Sequence, residues 1–215
     1  MAYTLGFFAA DGYITVNKRG GQFWCIEIKD KELIEKIKAT VESDHTISMR
    51  KRAKGKYTTF RLQIGSREMC DDLRKLGFSE RKTKNMTIPN VPKEYFSDFV
   101  RGYFDGDGNI WMGEIHKERK RIIRYKVLKL YFTSCSLEFL QDLYNRLSLS
   151  GLSGGCIYKS KKKQFYRLQY STVNALKLYD FMYNHWVNRK IPQLFLKRKK
   201  RVFEEYKRLK NAAVV

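Results

Sequence analysis

The stretch GFFAADGYI at residues 6–14 recurs as GYFDGDGNI at residues 102–110, and this pair of stretches decides how the chain is organised. The offset between them is constant at 96 (102 − 6 = 107 − 11 = 96). Two more matches keep the same order: FRLQ at 60–63 with YRLQ at 166–169, offset by 106, and Arg-Lys at 81–82 with Arg-Lys at 189–190, offset by 108. Matches that keep one order along the chain indicate an internal duplication.

Each half has the pattern of an αββαββα unit, so we predict a duplicated α+β fold. The N-terminal half is assigned to residues 1–86, the linker to 87–96 and the C-terminal half to 97–215. Growth of the offset by ten (106 − 96) places an insertion in the charged stretch 114–124. Asp30 and Ser136 are predicted to cap the second helix of each half, and residues 193–209 are predicted to form a basic helix.

The charge balance identifies the partner class. Lys and Arg number 44 against 22 for Asp and Glu, a formal net charge of +22, and basic residues recur inside the strand-like segments as well as in the tails. Such an excess is typical of a protein whose partner is a polyanion, so we expect double-stranded DNA. No apolar run is long enough to span a bilayer, and we expect neither a membrane role nor an obligate protein partner.

The cysteines indicate an intracellular protein without zinc. Four cysteines stand far apart, no pair has the C-x-x-C spacing, and only three histidines could join them. A reducing compartment fits this pattern, but it does not distinguish cytoplasm or nucleoid from an organelle matrix.

Small residues precede each Asp-Gly pair at a spacing of four, namely Gly6 with Ala10 and Gly102 with Gly106. Residues four apart share one face of a helix, so each helix would have a smooth stripe that a second helix can approach closely. Packing of the two stripes would place the helix ends side by side.

Asp11 and Asp107 would then converge at the negative ends of two helices, where they repel each other unless a cation lies between them. Oxygen ligands suit Mg²⁺, with Mn²⁺ or Ca²⁺ as alternative occupants, and such a site supports phosphodiester hydrolysis. Gly12 and Gly108 are predicted to adopt the left-handed conformation that ends a helix. An isolated Asp-Gly pair usually forms only a turn, and the duplication disfavours that interpretation here. An EF-hand is excluded, because Ile110 stands where its loop needs glycine.

The strands are predicted to read DNA. Alternation puts Trp24, Ile26 and Ile28 in the core and turns the residues between them outward. Arginine and lysine suit guanine or phosphate, glutamine suits adenine, and the basic hairpin ends suit phosphate. The candidate DNA-binding residues are Glu27, Lys29, Arg50, Lys54, Lys56, Thr59, Arg61, Gln63, Arg124, Lys126, Lys129, Thr133, Lys161, Lys163, Arg167 and Gln169.

These features resemble the LAGLIDADG homing endonuclease family in its single-chain, two-motif form, with residues 4–12 and 100–108 at the motif positions. The resemblance covers nearly the whole chain. It implies two pseudo-two-fold-related αββαββα halves, antiparallel saddle-shaped sheets in the DNA major groove, and motif helices at the interface. It also implies an intron-encoded monomeric endonuclease that makes a metal-dependent double-strand break with 3′ overhangs at a long, poorly symmetric target.

The resemblance also implies roles for particular residues. The acid before the last glycine of each motif binds metal in that family, which implies Asp11 and Asp107, with the carbonyls of Ala10 and Gly106 as additional ligands. Nearby basic residues order water or counter charge, and the candidates for this are Lys29, Lys82 and Lys190.

Two departures from the family pattern stand out. Ala9 replaces a frequent acid, and Cys135 occupies the position of Lys29 in the other half, which predicts that one strand is cut more slowly. Two other functions stay open: an RNA maturase with the same fold, and a catalytically inactive DNA-binding protein.

Overall fold

A computed structural model of the chain describes residues 1–52, 55–80, 86–116, 124–161, 164–184 and 193–212. The first half has the predicted αββαββα order, and its elements are α1 (Ala2–Asp11), β1 (Gly12–Val16), β2 (Gln22–Ile28), α2 (Lys31–Thr40), β3 (Ser48–Arg52), β4 (Tyr57–Gly65) and α3 (Arg67–Lys75).

The second half repeats this order after a single 3-10 turn, Lys93–Tyr95, and ends in an additional helix. Its elements are α4 (Phe96–Asp107), β5 (Gly108–His116), β6 (Arg124–Ser134), α5 (Leu137–Leu149), β7 (Cys156–Lys159), β8 (Tyr166–Ser171), α6 (Thr172–Tyr183) and α7 (Lys197–Ala212). The last helix therefore begins at Lys197, four residues later than the predicted start.

Each half contains one four-stranded antiparallel sheet, with the orders β1-β2-β4-β3 and β5-β6-β8-β7. This duplicated α+β architecture confirms the fold predicted from the repeat. The insertion lies in the β5–β6 hairpin. Gly12 pairs with Ile26 and Gly108 with Phe132, so the second hairpin is ten residues longer (24 − 14 = 10).

Alternation along the strands separates a core face from an open face. On β2, Trp24, Ile26 and Ile28 are buried as predicted, and Leu62 and Ile64 on β4 join them. Helices α2 and α3 pack on this sheet, while α5 and α6 pack on the second one. The opposite faces of the sheets are left to polar and basic side chains.

The predicted helix caps are confirmed. The Asp30 carboxylate accepts a hydrogen bond from the Leu33 amide at 2.9 Å, and the Ser136 hydroxyl accepts one from the Phe139 amide at 3.1 Å. Each cap satisfies an amide that has no partner inside the helix, and so fixes where the helix begins.

The prediction of left-handed glycines at the motif ends is wrong. Gly12 and Gly108 both have φ of −82° and continue directly into extended strands. Glycine is needed there because a Cβ would overlap the Phe8 ring at position 12, and the Phe104 ring and carbonyl oxygen at position 108. Close packing by the aromatic residue four positions earlier, rather than backbone conformation, therefore explains these glycines.

Among the described residues, no helix combines the length and apolar character that crossing a bilayer requires.

Candidate active site and DNA-facing surface

The two motif helices, α1 and α4, pack against each other through backbone contact. A Cβ built on Gly6 would overlap the carbonyl oxygen of Phe99, and one built on Gly102 would overlap that of Tyr3. These contacts are equivalent under the offset of 96 (102 − 6 = 99 − 3 = 96). The seam therefore agrees with the pseudo-two-fold relation between the halves that the family resemblance implies, and it requires glycine in both helices.

The seam brings the motif aspartates into one region. A Cβ on Gly106 would overlap that of Ala10 and would lie 3.3 Å from Asp11 Oδ2, so the carboxylate of the first motif lies against the end of the second. Asp11 and Asp107 are both exposed, and each is the last residue of its helix. The charges of both also act on buried Tyr103, whose pKa is raised by burial first and by the aspartates in addition.

Asp11 lies in an open groove of about 690 Å³ at the junction of the two halves. Lys29 and Glu27 at the end of β2 line its wall, together with Gly106 and Arg198. Lys29 and Asp11 therefore line the same groove. Lys82 and Lys190 lie outside the described residues.

Lys199 is a buried cation at the end of α4 that the sequence analysis missed. Its ammonium donates to the carbonyl oxygens of Phe104 (2.6 Å), Asp105 (2.7 Å), Gly106 (3.3 Å) and Gly108 (2.6 Å). Burial lowers the pKa of Lys199 to about 8, while Asp105, Asp11 and Asp107 act to raise it. The ammonium neutralises the negative end of the second motif helix.

A signal for Lys199 was present in the sequence. Phe203 and Tyr206 follow at spacings of four and seven, and both are buried. A lysine at the head of an apolar helical stripe has its ammonium directed toward the interior, where it needs acceptors. The strong overall basic character of residues 193–209 concealed this position.

Asp105 connects three parts of the chain. Its Oδ2 accepts hydrogen bonds from the Tyr3 hydroxyl across the helix seam and from the Leu196 amide, both at 2.8 Å. The carboxyl is 1% exposed, and burial raises its pKa to about 6. Ala9 occupies the equivalent position in the first half, so this acid fixes the segment before α7 in the second half alone.

On the first sheet, Glu27 is engaged by its neighbours. Arg52 donates to both of its oxygens, at 2.7 and 2.5 Å, and the Thr59 hydroxyl donates at 2.6 Å. The hydrogen bond from Arg52 is the main cause that lowers the pKa of Glu27. Thr59, predicted to contact DNA, is 8% exposed and holds Glu27 in place, whereas Arg52 was not among the predicted residues.

Several cations on the open faces lie over aromatic rings. Arg61 Cζ lies 5.7 Å from the centre of the Tyr13 ring. Arg167 Cζ lies 5.0 Å from the centre of the Phe165 ring and 5.6 Å from the centre of the Tyr131 ring. Arg61 also donates to the sulfur of Cys25, which is fully buried rather than turned to solvent. Gln63 and Gln169 follow two residues later on the same strands and are partly exposed.

The other predicted DNA contacts vary in exposure. Lys29 Nζ lies 4.0 Å from the centre of the Tyr57 ring, and Lys129 Nζ lies 5.8 Å from the centre of the Trp111 ring. Thr133 and Lys129 are partly buried, and the exposed candidates are Lys29, Arg50, Lys56, Lys126 and Lys161. Lys54, Lys163 and the side chain of Arg124 lie outside the described residues.

Within the described residues, no group of three or more histidine, cysteine or acidic side chains is placed to hold a metal ion. Cys25 and Cys70 are buried thiols, while Cys135 and Cys156 are exposed. A cation at the junction would therefore be held by the two motif aspartates together with carbonyl, water or phosphate oxygens.

Comparison with protein families matches residues 1–77 to a LAGLIDADG-like domain. Among curated proteins, a probable translation initiation factor IF-2 of Thermococcus kodakarensis is 30% identical over 141 residues, or 60% of this chain. A probable IF-2 of Methanocaldococcus jannaschii is 30% identical over 99 residues, or 42% of this chain. The matches span only 11% and 7% of the length of these two relatives.

Similar solved structures cover nearly the whole chain. The LAGLIDADG meganuclease I-AabMI, bound to uncleaved DNA, matches 98% of this chain and 90% of its own, with a TM-score of 0.64 and 15% identity. The LAGLIDADG homing endonuclease I-LtrWI, bound to target DNA, matches 97% of this chain and 88% of its own, with a TM-score of 0.62 and 13% identity. At such identities the likeness concerns the fold.

Proposed function

We propose that this protein is a site-specific DNA endonuclease, because residues 1–77 match a LAGLIDADG-like domain and the chain has a fold similar to that of LAGLIDADG meganucleases. Its substrate is a long double-stranded DNA site, and its product is a double-strand break with 3′ overhangs. It acts as a monomer, because the two halves of one chain supply both motif aspartates.

The observation that carries the proposal is the juxtaposition of the motif ends. The glycine seam holds α1 and α4 in backbone contact, so Asp11 and Gly106 lie side by side at the junction of two sheets with basic open faces. Carboxylates that can hold a divalent cation beside a basic surface are suited to phosphodiester hydrolysis, which binding alone would not require.

The residues at the junction fit a divalent cation. Asp11 and Asp107 supply carboxylate oxygens, and the Ala10 and Gly106 carbonyls are the candidate additional ligands, an all-oxygen set that suits Mg²⁺, Mn²⁺ or Ca²⁺. The Gly106 carbonyl already accepts from Lys199 at 3.3 Å, so only its second lone pair is available. A bound cation would supply polarisation of the scissile phosphate and a lower pKa for the attacking water.

The basic residues around the junction have separate roles in this proposal. Lys29, on the wall of the Asp11 groove, orders water and offsets the charge of the phosphate, with Lys82 and Lys190 as further candidates. Arg198 faces the same groove and joins them. Lys199 holds the end of α4 and thereby positions Asp107, which makes it a positioning residue rather than a group that touches DNA.

Substitution of the motif aspartates tests the proposal. In Asp11→Asn and Asp107→Asn, we expect cleavage of a selected target in Mg²⁺ to fall by at least about 100-fold, because one ligand of the cation loses its charge. Binding of uncleaved target should persist, since the basic faces are unchanged. The measurements are gel cleavage and fluorescence anisotropy on one duplex.

Asp44→Asn provides the matched control, because this fully exposed aspartate lies in the loop between α2 and β3. It should cleave like the unmodified chain. Undiminished cleavage by Asp107→Asn at saturating Mg²⁺ would show that the proposed chemistry is wrong, and a wild-type chain that binds its target without cutting would identify a binding protein instead.

A further inference from the structure

We infer that Arg61 and Arg167 each read a guanine, at positions related by the pseudo-two-fold axis, so that the target is an inverted repeat at the base pairs they face. This inference rests on the proposed function, because it concerns how the same DNA site is selected. It goes beyond that function by naming two bases and their symmetry.

The duplicated sheets place the two arginines at equivalent positions. Arg61 on β4 pairs with Glu27 on β2, and Arg167 on β8 pairs with Thr133 on β6. The same offset relates both pairs (167 − 61 = 133 − 27 = 106). Both strands are interior strands of their sheets, so each arginine lies near the middle of an open face.

Both guanidinium groups are held before any DNA binds. Arg61 lies over the Tyr13 ring and donates from Nη2 to Cys25 Sγ at 3.3 Å, while Arg167 lies over the rings of Tyr131 and Phe165. The Nε atoms of both arginines are buried and have no hydrogen-bond partner among the described residues. The sulfur and ring contacts, not Nε, hold each guanidinium on its inner side and limit the orientations of its outer donors.

A guanidinium group held in one orientation favours guanine over phosphate as its partner. Guanine presents O6 and N7 side by side in the major groove, and arginine donates to both at once. Phosphate contacts suit mobile cations, and the hairpin residues Lys56 and Lys161 are exposed cations of that kind. Arg52 and Thr59 already occupy the oxygens of Glu27, which leaves Arg61 available to DNA.

The glutamines extend the symmetry. Gln63 and Gln169 follow their arginines by two residues, a separation of about 7 Å along a strand, or at most about two base steps. An amide suits adenine, so each guanine should have an adenine preference close by. Lys29 and Cys135, which are also equivalent, differ in chemistry, and the base pairs they face should differ between half-sites.

Selection of bound duplexes from a randomised pool by the unmodified chain, without divalent cations, provides the test. We expect an enriched site in which a guanine recurs at the same distance from the centre on opposite strands. An enriched site without that symmetric pair would overturn the inference and leave the proposed function standing. Failure to enrich any sequence would overturn both.

Single substitutions then assign each guanine to its arginine. Arg61→Lys and Arg167→Lys keep the positive charge but lose the planar guanidinium that can donate two hydrogen bonds to one guanine. Each variant should therefore reduce the preference for guanine by about 10-fold or more in one half-site only. Arg67→Gln, on the helical side of the first sheet and with a side chain 82% exposed, is the control and should select the unmodified site. Equal weakening on all sequences by both lysine variants would indicate phosphate contacts and overturn the inference.

Discussion

At the scale of single residues, Asp105 shows how one side chain joins parts of the chain that lie far apart in sequence. It accepts hydrogen bonds from Tyr3, 102 positions earlier, and from the amide of Leu196, 91 positions later. Its Oδ1 is buried and has no hydrogen-bond partner among the described residues. A buried carboxyl with one unsatisfied oxygen favours its protonated form, in agreement with its raised pKa.

This raised pKa predicts a dependence of stability on pH. The pKa of Asp105 is about 6 in the folded chain and 3.8 as a reference value, so the folded state binds the extra proton between these values. The free energy of stabilisation that this proton contributes is fully present below about pH 4 and is lost as the pH rises through about 6. Relative to Asp105→Asn, the free energy of unfolding of the unmodified chain should therefore fall across this range, by at most about 1.4 kcal/mol per pH unit.

Urea denaturation of both proteins at several values between pH 4 and pH 7.5 measures this difference. Above about pH 6.5 the two stability curves should run parallel. Curves that were parallel over the whole range would mean that Asp105 titrates with an ordinary pKa in the folded chain.

At the scale of elements, the α1–α4 seam depends on the absence of two side chains. We expect Gly6→Ala to destabilise the chain by about 1–3 kcal/mol, because the new methyl group overlaps the Phe99 carbonyl and the helices must separate. Gly102→Ala should cost a similar amount, since its overlap with the Tyr3 carbonyl is equivalent. Chemical denaturation monitored by tryptophan fluorescence gives both values.

Gly65→Ala is the control for this prediction, because a Cβ there would come no closer than 3.2 Å to another atom, at the edge of the Phe23 ring. It should change stability by less than about 1 kcal/mol. Equal effects at all three glycines would argue that backbone entropy, rather than helix contact, governs these positions.

Local chemistry explains why some elements could be predicted from sequence and others could not. Asp30 and Ser136 act on amides three residues away, so their capping role can be read from neighbouring residues. Gly12 was predicted to be left-handed, but its backbone is extended. Glycine is needed there because the Phe8 ring occupies the space that a Cβ would take, and the sequence does not show where that ring packs. The spacing of Lys199 from Phe203 and Tyr206 indicates a buried side chain, but its acceptors lie about 90 positions away, and no local pattern identifies them.

At the scale of the whole molecule, the net charge of +22 makes the proposed binding to DNA dependent on salt. If the open faces neutralise six or more phosphates, the slope of log K against log salt should be about −5 or steeper, because each contact releases counterions. Anisotropy titrations between 50 and 200 mM salt measure it.

Two single-charge variants locate this effect on the surface. Arg50→Gln on β3, where Arg50 pairs with Thr59 on the open face, should make the slope shallower by about 0.9, whereas Lys38→Gln on α2, on the helical side of the sheet, should leave it unchanged. A slope shallower than about −2 in the unmodified chain would contradict the assignment of the open faces to DNA.

The Tyr3–Asp105 hydrogen bond has no counterpart on the other side of the pseudo-two-fold axis. Phe99 is equivalent to Tyr3 and Ala9 to Asp105, and neither side chain can form it. Two copies of the first half could form the glycine seam but would have no carboxyl to engage their tyrosines. Two copies of the second half would bury two Asp105 carboxyls against phenylalanine rings, which leaves both acids short of a donor. Glycine thus permits any two halves to meet, and Asp105 selects unlike partners. Pairing of like halves, whether by gene fusion or by truncation, would first require a change at position 9 or 105.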